Sequence, residues 1–395
     1  MFDVQFPPPL ERVILAGVQT PQTETDLFET DMQEMQMLCA TAGAQVVAVI
    51  TQKRQTPVAS TYIGQGKLEE IKALMKEESC TGLVIDAALS PGQVRNIEQI
   101  IETKVIDRSQ LILDIFAQHA CTNEAKIQVE LAQMRILYPR LTRAWSHFSQ
   151  QMGGIGTRGP GEKQLEVDRR LVQKKISDLA GKLKKIEKSR ITQRKSRDPY
   201  YKVTLVGYTN VGKSSLLNAL SGSDVLVENK LFATLDTATR RTFIPGFGTI
   251  VISDTVGFLR KLPHQLVASF KSTLEVVAEA HLLMLIMDAS SFLTDHQLKT
   301  VNEVLNELAP ADIPRLLVFN KMDKVTDPFE RKKLEIAYPQ AVFVSALQAT
   351  DMDKLKQTIA ECAVAWTQER EKDAIIARTT REAEEEYAAG LNNED

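Results

Sequence analysis

The chain has little that would tie it to a membrane, a disulfide framework or a metal cluster. Its four cysteines, Cys39, Cys80, Cys121 and Cys362, lie far apart and form no Cys-x-x-Cys pair. That excludes a zinc site of that kind and points to a reducing compartment. No apolar run approaches the roughly 20 residues that a membrane span needs. The longest, HLLMLIMDA from His281, has the length and composition of a buried strand. The opening MFDVQFPPPL has neither a basic segment nor an apolar core, so it does not read as a secretion signal. A cytoplasmic location is the expectation. Repeats of fixed period are missing too. So is an overall basic excess: the net charge is −3 over 395 residues.

What is present is length enough for two or three domains, in the proportions of an ordinary globular protein. Residues 1–120 alternate short β-branched runs (12–19, 45–52, 82–89, 104–108) with helical stretches near 27–42, 67–78 and 91–102. That alternation predicts an α/β domain with a small parallel sheet. Residues 121–198 carry two helical patterns. In the first, Ile127, Leu131, Met134, Leu137 or Tyr138, and Leu141 recur at three-to-four spacing. In the second, Leu165, Val172, Ile176, Leu179, Leu183 and Ile186 keep a coiled-coil repeat. Between them lies GGIGTRGPGEKQLE, Gly153–Glu166, with five glycines and a proline in its first nine residues. The pattern predicts a long antiparallel helical hairpin with that loop as its tip. The charge is uneven here: residues 169–197 hold twelve Lys or Arg against Asp178 and Glu187. Strand and helix signals alternate again over 199–366, and a short acidic tail, 367–395, follows. From Glu382 onward it has six acids and no base.

The chemistry sits in the third segment. KVTLVGYTNVGKSSLLNAL is an apolar strand, then Gly207-x-x-x-x-Gly212-Lys213-Ser214, then an amphipathic helix. This is a phosphate-binding loop in its required context. The glycines let backbone amides curl around a phosphate, Lys213 brings a cation to it, and the Ser214 hydroxyl suits Mg²⁺. Forty residues after Ser214, IVISDTVGF ends a strand in Asp254, with Gly257 three further on. Asp254 can hold the Mg²⁺ through water, and the Gly257 amide can meet a γ-phosphate. RLLVFNKMD then ends a strand in Asn320-Lys321-Met322-Asp323. A carboxylate accepts two hydrogen bonds, and guanine offers two donors, N1–H and the 2-amino group, on one edge. Adenine does not offer that pair, so the site should reject it. The Lys321 stem can cover the base, and VFVSAL, with Ser345, Ala346 and Leu347, places a backbone amide where guanine O6 would lie. The expected ligands are GTP or GDP with Mg²⁺. The segment LFATLDTATRR must supply a threonine that completes the Mg²⁺ shell when γ-phosphate is present, and Thr234, Thr237 and Thr239 all qualify.

This ordered set resembles the translation-factor-related GTPases. LFATLD and DTVGF, together with GQGKLEEI, DRSQLILDIFAQHA, KIQVELAQMRILYPRL and GGIGTRGPGEKQLEVDRR, resemble the HflX family of ribosome-associated GTPases over about residues 10–365. The resemblance implies an amino-terminal α/β domain with a helical hairpin, then a Ras-like P-loop GTPase domain. It implies GTP hydrolysis and binding to the large ribosomal subunit, with splitting of stalled or stress-damaged ribosomes, by a chain that is monomeric away from them. The rRNA contacts would come from residues 151–161 and the basic helix 169–197. The switch threonine becomes Thr234. The nucleotide-binding set is then Gly207, Tyr208, Thr209, Asn210, Val211, Gly212, Lys213, Ser214 and Ser215; Phe232, Ala233, Thr234, Leu235 and Asp236; Asp254, Thr255, Val256 and Gly257; Asn320, Lys321, Met322 and Asp323; and Ser345, Ala346 and Leu347. Within it Lys213, Thr234 and Gly257 act on the transferring phosphate, and Ser214, Thr234 and Asp254 hold the metal.

Many GTPases place a glutamine directly after the DxxG glycine to orient the attacking water. Here that position is Phe258, which cannot hydrogen-bond water. Slow unassisted hydrolysis, with activation by the ribosome, is expected. Asn210 is in the position used by some related GTPases to hold K⁺; a hydrogen bond that steadies the loop is the plainer use. The short GQGK, Gly64–Lys67, could bind a second nucleotide, but a turn opening the helix near Lys67 explains it as well.

Overall fold

The four β-branched runs of the amino-terminal part form one parallel sheet, in the order β2-β1-β3-β4. The computed structural model describes residues 11–144, 160–194, 200–222, 231–232, 238–261, 276–291, 293–308, 310 and 312–391. They divide into two compact units. The first holds the described residues up to Arg194 with Leu231, Phe232 and Lys261, and the second holds the others.

In the first unit, β1 (Glu11–Gln19), β2 (Ala44–Lys53), β3 (Gly82–Ile85) and β4 (Lys104–Asp107) alternate with α1 (Thr25–Thr41), α2 (Gln65–Glu77) and α3 (Pro91–Ile101). β1 and β3 are buried almost throughout, as expected of central parallel strands covered on both faces. α3 starts where the sequence says it must. Ser90 and Gln93 make a reciprocal capping box, and Pro91 occupies the first turn, where its missing N–H costs nothing. Ile14, Ile71, Leu83, Ile97 and Val105 meet in the core. Two runs stop earlier than their composition suggests. β3 ends at Ile85; the Asp86 amide still donates to the Ala16 carbonyl at 3.0 Å, and its side chain accepts from Arg108 at 2.7 Å. β4 ends at Asp107 because its Oδ1 accepts the Gln110 amide at 2.8 Å and so caps α4 (Arg108–His119). The strand read over 104–108 therefore loses Arg108 to a helix whose periodicity gave no warning.

Arg108 is 1% exposed and pairs with both Asp86 and Glu34. Burial would lower its pKa, but the two carboxylates more than offset that and hold it above the ordinary value. Lys261, of the same unit, adds contacts of 2.8 Å to Asp31 and 3.2 Å to Asp86.

α5 (Asn123–Ala144) and α6 (Pro160–Arg194) pack antiparallel. Lys175 meets Glu130 at 2.6 Å, while Arg169, earlier in α6, lies 5.8 Å from the ring of Tyr138, later in α5. Their seam joins Ile127, Leu131 and Met134 to Ile176, Leu179, Leu183 and Ile186. Tyr138 turns toward it and Leu137 stays 40% exposed, which settles an alternative that spacing left open. Residues 145–159, and with them most of the glycine loop, lie outside the described residues.

The second unit is a six-stranded sheet of order β10-β9-β8-β5-β7-β6. Its strands are β5 (Tyr201–Gly207), β6 (Thr239–Ile244), β7 (Gly248–Asp254), β8 (Leu282–Asp288), β9 (Arg315–Asn320) and β10 (Val342–Phe343), with α7 (Lys213–Ser221), α8 (Thr294–Leu308) and α9 (Pro328–Ala337) between them. Only β6 runs antiparallel. Six of the seven residues of β8 are fully buried, as its unbroken apolar run predicts. α10 (Met352–Leu391) is one helix of 40 residues, continuing without a break past 366 into the acidic segment. Trp366 fastens it, its ring tilted against His281 at 4.3 Å and edge-on to Tyr201 at 5.3 Å. No helix among the described residues is long and apolar enough to cross a membrane.

Candidate functional site

Because β5, β7, β8, β9 and β10 are parallel neighbours, their carboxyl ends share one edge of the sheet. Open α/β sheets bind ligands at that edge, and each motif of the second unit arrives there from a different strand.

Gly207 closes β5 at φ +157°, where a Cβ would fall 2.3 Å from the Ile286 carbonyl oxygen. Gly212 turns the chain into α7 at φ +91°, and a Cβ there would meet the Asn320 amide at 2.4 Å. Both glycines are dictated by space as well as by dihedral. Lys213 is 7% exposed, and its ammonium donates to the Tyr208 carbonyl at 2.8 Å and the Gly207 carbonyl at 3.3 Å. Burial pushes its pKa down to about 8, with Asp254 pulling the other way. A buried cation curled on loop carbonyls is poised to exchange them for an anion.

The Ser214 hydroxyl donates to Asp254 Oδ2 at 2.6 Å. Asp254 is wholly buried, which raises its pKa, and its Oδ1 has no hydrogen-bond partner among the described residues. A sealed carboxylate oxygen beside a hydroxyl is a hard-donor pair that fits Mg²⁺. The third motif is laced to the phosphate loop by its backbone: Thr209 N–H donates to the Phe258 carbonyl at 2.8 Å, and Phe258 N–H to the Gly207 carbonyl at 3.0 Å. Gly257 lies so close that a Cβ would be 2.7 Å from Thr209 Cα and 2.9 Å from Lys213 Nζ. Thr255 turns inward to the Leu205 carbonyl at 2.7 Å, and Val256 is 8% exposed.

On the base side, Asn320 ties two loops together. It donates to the Val211 carbonyl at 2.9 Å and accepts the Ala346 amide at 3.0 Å. The Ser345 hydroxyl donates to Asp323. Met322 is 9% exposed and packs below, whereas Leu347 is 85% exposed. The Ala346 amide, one of the backbone donors of that turn, is engaged by the Asn320 side chain.

Phe258 is 2% exposed and packs with Val206, Val277, Leu283 and Leu305. It is a core residue and directs no group at a phosphate. The Thr239 hydroxyl lies in β6, 3.0 Å from that of Ser253. Phe232 is 3% exposed, with its ring edge-on to Phe116 at 4.7 Å in the first unit. Ala233, Thr234, Leu235, Asp236 and Thr237 lie outside the described residues. Sequence reasoning missed Asp288, whose carboxylate meets Lys321 at 2.7 Å, and the bond from the Arg260 amide to the Tyr208 hydroxyl at 2.8 Å. An aspartate ending a buried apolar strand was the only available signal for the first. At the other proposed nucleotide motif, Gly64 stands just before α2 and its amide donates to Gln52 at 2.9 Å, which is the turn-and-helix arrangement.

Three family models match the chain in succession: a GTP-binding GTPase N-terminal region over 29–117, a GTP-binding GTPase middle region over 119–197, and a 50S ribosome-binding GTPase over 202–321. The chain is 48% identical over 313 residues to GTPase HflX of Flavobacterium psychrophilum, covering 79% of this chain and 76% of that one. It is 44% identical over 355 residues to GTPase HflX of Escherichia coli, covering 89% and 82%. Among solved structures, SsGBP in complex with GDP matches with a TM-score of 0.50 and 26% identity, covering 90% of this chain and 99% of that one.

Proposed function

The chain belongs to the HflX family of GTPases, and from that premise we propose that it hydrolyses GTP with Mg²⁺ on the large ribosomal subunit, splitting or recycling stalled and stress-damaged ribosomes in the cytoplasm. The observation that carries the proposal is the common sheet edge at which a phosphate loop, a buried carboxylate and a base-reading loop converge.

In this reading Asp323 takes guanine N1–H and the 2-amino group, with Lys321 over the base and the Ser345–Leu347 turn at O6. The amides of Gly207–Ser215 and the Lys213 ammonium hold the phosphates. Ser214, Asp254 and Thr234 would hold Mg²⁺, which neutralises phosphate charge during transfer. The Gly257 amide meets the γ-phosphate, and Thr234 reports its presence. With the Phe258 ring in the core, the position after Gly257 supplies no group to orient water. This supports slow intrinsic turnover, on the order of the 10⁻⁴–10⁻² s⁻¹ of unassisted Ras-like and Gα enzymes, and a catalytic contribution from the ribosome. The α5–α6 hairpin, with twelve basic residues over 169–197, would grip rRNA phosphates, and residues 151–161 would form the tip that enters the RNA.

GTP turnover with and without purified large subunits tests this. Stimulation by the subunits is expected. Slow turnover indifferent to them would favour the other reading of the same burial of Phe258: an RNA-binding module for which GTP is a conformational ligand.

A further inference from the structure

β8 is the strand between the phosphate loop and the base loop. On one side its Ile286 pairs with Gly207 at the end of β5; on the other its Asp288 pairs with Asn320 at the end of β9. Whatever ends β8 therefore stands between the two halves of the site. What ends it is a carboxylate. Asp288 Oδ2 meets the Lys321 ammonium at 2.7 Å, and the same ammonium donates to the Asn210 carbonyl in the phosphate loop.

The other carboxylate oxygen is occupied as well. Asp288 Oδ1 accepts the Ser290 amide at 3.0 Å and the Ser290 hydroxyl at 2.6 Å. These bonds fix the rotamer of Asp288, so its second oxygen is held out to Lys321 at little further entropic cost. The backbone adds a parallel tie, with Ala289 N–H donating to the Asn320 carbonyl at 2.9 Å. Both residues linked through the ammonium have left-handed backbones, Asn210 at φ +60° and Lys321 at φ +64°. Asparagine tolerates that region and lysine does so poorly, so the surroundings must hold Lys321 there. The pair is 18% exposed on each side, wet enough to avoid a full desolvation cost and dry enough to matter.

We propose that Asp288 is a positioning residue for guanine-nucleotide binding: its carboxylate holds the Lys321 ammonium on the phosphate loop and so locks the base-reading loop to the phosphate-binding loop. This rests on the nucleotide site described above. Asp288 touches neither base nor phosphate in this scheme; it acts through Lys321. Its loss leaves the ammonium with one backbone carbonyl, and the lysine stem is no longer fixed over the base plane.

The test uses the full chain, fluorescent GDP and XDP, and a double-mutant cycle. Asp288→Asn is expected to weaken GDP binding on the order of tenfold, the worth of one charge-assisted hydrogen bond. The preference for GDP over XDP is expected to hold, because Asp323 is untouched, and the loss with GTP to fall on KM more than on kcat. In a Lys321→Met background, which keeps the stem and removes the ammonium, Asp288→Asn is expected to cost nothing further. Wild-type affinity in Asp288→Asn, or equal losses in both backgrounds, would overturn the proposal. If Asp288→Asn does not fold, Lys321→Met tests the pair from its other end, and wild-type GDP affinity there overturns it equally. If Asp323→Asn keeps a guanine preference, the site assignment itself falls; if that variant behaves as expected while Asp288→Asn binds like wild type, only the role of Asp288 falls.

Discussion

The Ser345 hydroxyl donates to Asp323 Oδ1 over 2.5 Å, joining the last two sequence motifs of the site. The serine orients the carboxylate that would read the base and spends one of its acceptor positions. Asp323→Asn retains an oxygen for Ser345 and turns an NH₂ toward the ligand. Guanine offers an amine at position 2 and xanthine a carbonyl, so preference should pass from GDP to XDP. Competition between the two against fluorescent GDP measures it, and undiminished GDP preference would remove Asp323 from its role.

Gly257 has no room for a methyl group, with Thr209 Cα 2.7 Å from where it would go. That neighbour is backbone and cannot swing aside. Gly257→Ala should cost about 1–3 kcal/mol of stability, as overpacking does. It should also weaken binding of a non-hydrolysable GTP analogue more than binding of GDP, because in the proposed site only the triphosphate would use the Gly257 amide. Equal effects on both ligands would make Gly257 a packing residue alone.

Asp254 is a buried carboxylate whose Oδ1 has no hydrogen-bond partner among the described residues. Chelating Mg²⁺ should speed GDP release from the wild type. In Asp254→Asn release should already be fast and indifferent to chelator, since the group proposed to hold the ion is altered. Stopped-flow release with and without EDTA reads both. Chelator sensitivity at the wild-type level in the variant would place the ion elsewhere.

The Cys39 thiol is buried, which pushes its pKa up to about 12, whereas Cys121 is exposed. Alkylation of the native protein at pH 8.5 should label Cys121 readily and spare Cys39 until the chain unfolds. The sign for stability follows. The native state keeps the Cys39 proton above the ordinary pKa of 9.0, so its stabilising contribution is whole below pH 9 and is lost as pH rises toward 12. Mass spectrometry of labelled peptides checks the first statement and melting temperature across pH the second.

Lys182, Lys184 and Lys185 are exposed on α6. Neutralising them together with Lys188 should weaken co-sedimentation with large subunits and flatten its salt dependence, by roughly one unit of log–log slope per lost phosphate contact. Replacing residues 151–161 with a Gly-Ser linker should leave nucleotide affinity intact and reduce subunit splitting, followed by light scattering. A linker variant that splits at the wild-type rate would make the loop a plain turn.

What the sequence determined alone was what depends on near neighbours in the chain. The phosphate loop, DTVGF and NKMD are short strings whose backbone conformation and donor sets are local, so their residues could be named in advance. The heptad seam of α6 was legible for the same reason, since 3.5-residue spacing specifies one face of a helix. The end of β4 was not, because Asp107 reads equally as the last residue of a strand or the cap of α4.

Only the tertiary structure decided which strands lie side by side, and much of the site depends on that. The order β9-β8-β5 sets Asp288 between two loops that are distant in sequence, and a lone aspartate after an apolar run carries no mark of this. Phe258 follows a motif glycine, yet its burial with Val206 and Leu305 takes it out of the reaction. Thr239 is drawn into the sheet where β6 pairs with β7, with its hydroxyl against that of Ser253. Arg108, read as the end of a strand, is among the most buried side chains described, because carboxylates from α1 and the end of β3 converge on it. In each case the deciding partner is far away along the chain, and only packing brings it within reach.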